Sequence, residues 1–121
     1  MPSDLPRIGI ALTSDDYSRL EAIAKANSRS VNHVCTLHLR SAVTALKRRS
    51  DVVDTMRWRA DNHAGRHVRA EVRLDRELRD ELAAAAKAHK MPLASLCYGA
   101  ISLFNDALSD HRTGVAVQVV D

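Results

Sequence analysis

The sequence predicts a mainly α-helical protein in which one strand–helix–helix unit occurs twice, with two short strands paired as an antiparallel ribbon over a four-helix core. Three observations lead there: a 62-residue register between the halves, a period-two alternation opening each half, and two apolar stripes at helical spacing behind it.

With that offset, residues 7–46 lie over 69–108 without a gap, and ten of the forty positions are identical, among them Arg7/Arg69, Leu12/Leu74, Leu20/Leu82, Lys25/Lys87, Cys35/Cys97 and Leu46/Leu108. Alanine richness inflates such a count. The hydrophobic pattern is the stronger witness, because it keeps one register through three successive elements.

The first element alternates. Ile8, Ile10 and Leu12 point one way and Arg7, Gly9 and Ala11 the other; the second half repeats this with Ala70, Val72 and Leu74 against Arg69, Glu71 and Arg73. Such alternation is that of a half-buried strand. Next, Tyr17, Leu20, Ile23 and Ala24, matched by Leu78, Leu82, Ala85 and Ala86, follow helical spacing. Thr13 to Asp16, and in the second half Asp75 and Glu77, mark the helix starts, since these side chains accept bonds from free amides and complement the helix dipole. The third element carries one stripe through Val31, Val34, Cys35, Leu39, Val43 and Leu46, and its counterpart through Leu93, Leu96, Cys97, Ile101, Phe104 and Leu108. Ser30 suits an N-cap or first turn, and Pro92, at the equivalent place, a first turn that needs no amide.

Neither unit closes alone. A single strand leaves its amides unpaired, and two short helices cannot bury a strand together with their own stripes. Pairing the two units solves both problems. The expected organisation is a first repeat over 1–46, a partly helical linker over 47–68, a second repeat over 69–110 and a strand-like tail over 111–121. Within the linker Val52 to Arg59 lacks Pro and Gly and reads as helix, Ala64-Gly65-Arg66 as a break, and Trp58 as a packing residue that closes the core.

Composition narrows the function. The chain has 121 residues, 45% of them hydrophobic and 27% charged, which is an ordinary globular balance. No apolar run approaches the roughly 20 residues that span a bilayer. Met1 to Pro6 lacks the pattern of a signal peptide, so a cytoplasmic location is expected. The net charge of +3 permits nucleic-acid binding without showing it. Positive charge concentrates between Lys47 and Arg76. His63 and His67 stand four apart across Gly65 with no third ligand type beside them, so no metal is expected, and no cofactor motif is present. No nucleophile–base signature or phosphate loop occurs, and an enzyme is not expected. Cys35 and Cys97 fall on the apolar stripes, where packing is the expected role.

Asn27-Ser28-Arg29-Ser30-Val31-Asn32 resembles the inter-helix turn and second-helix start of the Arc-repressor-like ribbon-helix-helix DNA-binding family, and Ile8 to Leu12 with the acidic helix start resembles that family's strand and first helix. Counting both halves, the resemblance covers about two thirds of the chain. The second half departs from it at the turn, His89-Lys90-Met91-Pro92. The resemblance implies a tandem, single-chain pseudo-dimer that lays its ribbon in the major groove of double-stranded DNA as a transcriptional regulator, in the first instance a repressor. It assigns base reading to Arg7, Gly9, Ala11, Arg69, Glu71 and Arg73. Arg69 and Arg73 can offer guanidinium forks to guanine, Glu71 can accept from cytosine, Ala11 can touch a thymine methyl, and Gly9 allows close approach at most. The plainer alternative is a solvated charged row.

The same resemblance implies a phosphate clamp at each second-helix start: Arg29, Ser30, Val31 and Asn32 in the first half, with Lys90 standing in where Pro92 has no amide. Simple helix capping explains those residues equally well. Lys47, Arg48 and Arg49 are further phosphate candidates, although basic residues at a helix C-terminus also suit the dipole alone. An accessory DNA-binding protein of a relaxosome or partition system remains an alternative function. So does a protein-binding or inhibitor module on the same fold, which Gly9 and Ala11 favour. The apolar tail from Gly114 to Val120 suggests self-association, a homodimer of pseudo-dimers.

Overall fold

The computed structural model describes residues 6–108. The element order is β1 (Arg7–Leu12), α1 (Ser14–Ala26), α2 (Val31–Arg48), α3 (Val52–Asn62), β2 (Val68–Arg73), α4 (Arg76–Ala88) and α5 (Leu93–Ala107). Strand, helix, helix thus occurs twice, separated by α3. The tail from 109 onward, and with it the suggested self-association through 114–120, lies outside the described residues.

β1 and β2 form a two-stranded antiparallel sheet in the register Arg7↔Arg73, Gly9↔Glu71 and Ala11↔Arg69. Gly9 and Glu71 are both opposite one another and 62 residues apart, so the approximate twofold that exchanges the halves runs through this pair. Ile8, Ile10, Leu12, Ala70, Val72 and Leu74 are buried as the alternation requires. Beneath them Leu20, Leu39, Leu82, Leu96 and Ile101 are shut off from solvent. Cys35 and Cys97 also lie in this core, where burial pushes both thiols up to about 12.

The caps explain where the helices begin and end. The Thr13, Ser30 and Asp75 side chains accept from the amides of Asp16 (3.0 Å), His33 (3.0 Å) and Leu78 (2.8 Å). The Leu78 amide holds the Asp75 carboxyl below its ordinary range. α1 and α4 stop with one and the same backbone motif, although Asn-Ser-Arg and His-Lys-Met share nothing. Arg29 N–H returns to the Ala24 carbonyl (2.8 Å) and Met91 N–H to that of Ala86 (3.0 Å). Ser28 (φ 54°) and Lys90 (φ 57°) supply the left-handed residue without the help of glycine, at about 1 kcal/mol each.

The four-helix core needs correction: the described residues hold five helices, and the additional one belongs to the linker. α2 ends at Arg48, Arg49 is extended, and α3 restarts after Asp51. It buries Val53, Met56 and Ala60 against α5. The approach is close because Gly99 has no side chain; a Cβ there would collide with the Met56 carbonyl. Trp58 also needs correction. It does not close the core but stands 60% exposed, edge-on to His63. Two residues beyond Met56 is about 200° around a helix, so the stripe that buries Met56 turns Trp58 outward.

A polar layer ties α1, α3 and α5 together. Tyr98 donates to Asp16 (2.6 Å), the His63 ring donates to the Tyr98 oxygen (2.9 Å), and Arg59 and Arg19 both grip Asp106. Arg66 covers the Tyr98 ring. Deeper still, His38 Nε2 meets Asn105 Oδ1 at 3.0 Å. The Asn105 amide nitrogen donates to the Asp16 carbonyl (3.1 Å) and its Oδ1 can only accept, so His38 is the donor in that pair. Among the described residues no helix is long and apolar enough to cross a membrane.

Candidate nucleic-acid interface

The alternation that buries one face of the ribbon turns Arg7, Gly9, Ala11, Arg69, Glu71 and Arg73 outward together. All six therefore share one surface. The pairing register then decides their neighbours. Arg7 stands opposite Arg73 at one end, Gly9 opposite Glu71 in the middle, and Ala11 opposite Arg69 at the other end.

The side chains do not all stand upright. Arg7 reaches diagonally to Glu71 (3.9 Å), with both side chains more than half exposed. A pair so exposed contributes little to stability and can exchange partners readily. The Arg69 guanidinium lies back over Gly9, in space that a Cβ on Gly9 would occupy. Gly9 is thus not an empty position: it is the seat of an arginine from the opposite strand. Two guanidinium groups lean toward the centre and a third, Arg73, remains at the end.

The Asn32 side chain has a partner within the fold. Its side-chain oxygen accepts from the Arg73 amide (2.7 Å) and its side-chain nitrogen donates to the Arg73 carbonyl (3.3 Å). The start of α2 is thereby fixed to the end of the ribbon that carries Arg7 and Arg73. Ser30 is committed as the N-cap, while Arg29 and Val31 lie in the same turn and share this end. The equivalent residue to Asn32 is Ala94, which has no amide to offer. α5 packs against β1 but starts at Pro92 with no side-chain cap, and Lys90 there serves as the left-handed residue of the turn.

Lys47, Arg48 and Arg49 are not brought to the ribbon. They stand about 22 Å along α2 from Asn32. Lys47 bonds Glu81 of α4 (2.8 Å), and Arg49 bonds Asp51 (3.0 Å). The ribbon and the α2 N-terminus form one continuous surface, and these three residues belong to another. Sequence reading overlooked the Asn32–Arg73 junction and the place of Arg69. Both depend on which strand residues pair, and the only visible signal was an Asn just inside a helix start.

Comparison with family models, with curated proteins and with solved structures finds no match for this chain.

Proposed function

We propose that this protein binds double-stranded DNA through its two-stranded ribbon as a tandem ribbon-helix-helix module, and acts as a transcriptional regulator that occupies an operator. The observation that carries this reading is the outward face, where Arg7, Arg69 and Arg73 share one surface, interrupted only by Glu71, Gly9 and Ala11. A two-stranded ribbon has the width the major groove admits, and an arginine fork to guanine is the commonest specific contact there. Residues 7 to 11 span about 14 Å, or roughly four base pairs. The α2 N-terminus beside Arg73 supports the reading further, because free amides there suit a phosphate.

The two ends of this face are unequal, so the preferred site is expected to be non-palindromic, with a strong half beneath Arg7 and Arg73. Selection from a random duplex library tests this. The expected result is an enriched site whose affinity falls with salt, at a log–log slope of about −3 to −4 for some four phosphate contacts. Recovery of no sequence, or salt-independent binding, overturns the proposal. It would favour a protein-binding module instead, a reading to which the Arg7–Glu71 pair lends some support by reducing the positive charge at the centre. The position of the enriched site, at a promoter or at a transfer or partition locus, separates a repressor from a relaxosome or partition factor.

A further inference from the structure

α3 and α5 show what the other half lacks. α3 leaves the end of α2, crosses to α5 and covers the face that carries Gly99, Ser102 and Asp106: Met56 sits at Gly99, and Arg59 reaches the Ser102 hydroxyl (3.1 Å) as well as Asp106. The 62-residue offset carries that face onto Leu37, Arg40 and Thr44 of α2. No described helix covers it. Instead there is a groove of about 460 Å³ whose apolar lining is Leu37, Ala45, Val52 and Phe104, with Ser41, Thr44 and three arginines, Arg40, Arg48 and Arg49, making up the rest.

We propose that this groove receives residues 114–120 of the same chain, Gly-Val-Ala-Val-Gln-Val-Val. Three observations support the assignment. The chain leaves α5 at Leu108, one helical turn beyond Phe104, which itself lines the groove. Five residues, 109–113, then bridge up to about 17 Å, which equals the length of α2 from Leu37 to Arg48 at 1.5 Å per residue. The segment beyond them is aliphatic at Val115, Ala116, Val117, Val119 and Val120, and the offset lays Val115 over Val53, one of the residues with which α3 docks. The match is in place and chemistry but not in detail. Leu37 stands where α5 has Gly99, so the occupant cannot bring its backbone as near as α3 does, and the contact is made by side chains.

Disulfide trapping in the full-length chain tests the proposal. Ser41→Cys combined with Val117→Cys, or with Ala116→Cys to allow for orientation, should oxidise to an intrachain link that leaves the protein running as a monomer. Cys35 and Cys97 are buried and should not compete. A Glu21→Cys/Val117→Cys control on the far side of α1 should stay reduced. Failure of both pairs to link, equal linking in the control, or a link found only as a covalent dimer overturns the assignment; the last result would give the groove to a second copy. A second measurement avoids reliance on cysteine geometry. Leu37→Asp and Val117→Asp should each lower the urea midpoint, and the double variant should fall no further than the worse single one. Full additivity contradicts the docking.

Discussion

At one end of the ribbon Arg7 faces Arg73, and α2 begins there with a capped N-terminus held to the strand by Asn32; at the other end Ala11 faces Arg69, and α5 begins at a proline without a cap bond. The ends share a backbone down to their turns, where Ser28 and Lys90 take the same left-handed conformation. They differ in nearly every side chain that could meet a ligand. A dimer of identical chains must give both ends one chemistry. Joining the copies frees each half to specialise while the shared core keeps them in register.

The interior shows the same division, and the largest expected effect lies there. Gly99→Leu puts into α5 the residue α2 carries at the equivalent position, and should cost about 3 kcal/mol of stability because α3 is forced off α5. Leu37→Gly, the reverse exchange, creates no collision and should cost about 2 kcal/mol, the helix penalty together with the loss of a half-buried side chain. Urea denaturation of both variants checks this, and equal costs would mean that the halves are not differentiated by α3.

Next comes His38, which with Asn105 occupies positions whose counterparts are Ala100 and Val43. Burial lowers His38 from 6.5 to about 4, partly opposed by the hydrogen bond it donates to Asn105. Between these values the unfolded chain binds a proton that the folded chain refuses. Stability should therefore be level above about pH 6.5, fall as pH drops toward 4, and lose up to about 3 kcal/mol in all. His38→Gln should flatten this slope in denaturation curves taken from pH 7.5 to 4.5.

The smallest of the three concerns the ribbon. Arg73→Ala should weaken specific DNA binding by about 2 kcal/mol and relax base preference in the strong half only. Ala11→Arg, at the equivalent place, should raise affinity and shift the preferred site toward a palindrome. Gel shifts against the selected duplex read both, and identical effects in the two half-sites would show that the ends read DNA alike.

Much of the fold was legible in the sequence. The strands and four of the helices follow from period and caps, because these are local properties of Ile8–Leu12, the Leu20 and Leu82 stripes, and Thr13, Ser30 and Asp75. The linker helix was visible too, but its destination was not, because the close approach depends on a glycine forty residues away that carries no local signal. The misplacement of Trp58 came from judging a residue type without its stripe. For the interface, the six outward residues were legible from alternation alone. Their neighbours were not, since Arg7 beside Arg73 and Arg69 over Gly9 depend on a strand register fixed by the core below. The second turn, unlike the first in every residue, kept its geometry because backbone hydrogen bonds rather than side chains define it.

A two-stranded sheet has no interior strand, and each of its backbone groups that points outward is a template for further pairing. Asn32 removes one such template by saturating both outward groups of Arg73 with its own amide. Ala94 cannot do the same for Ala11. Strand addition is therefore hindered at Arg73 by a side-chain bond that the other half cannot make at Ala11.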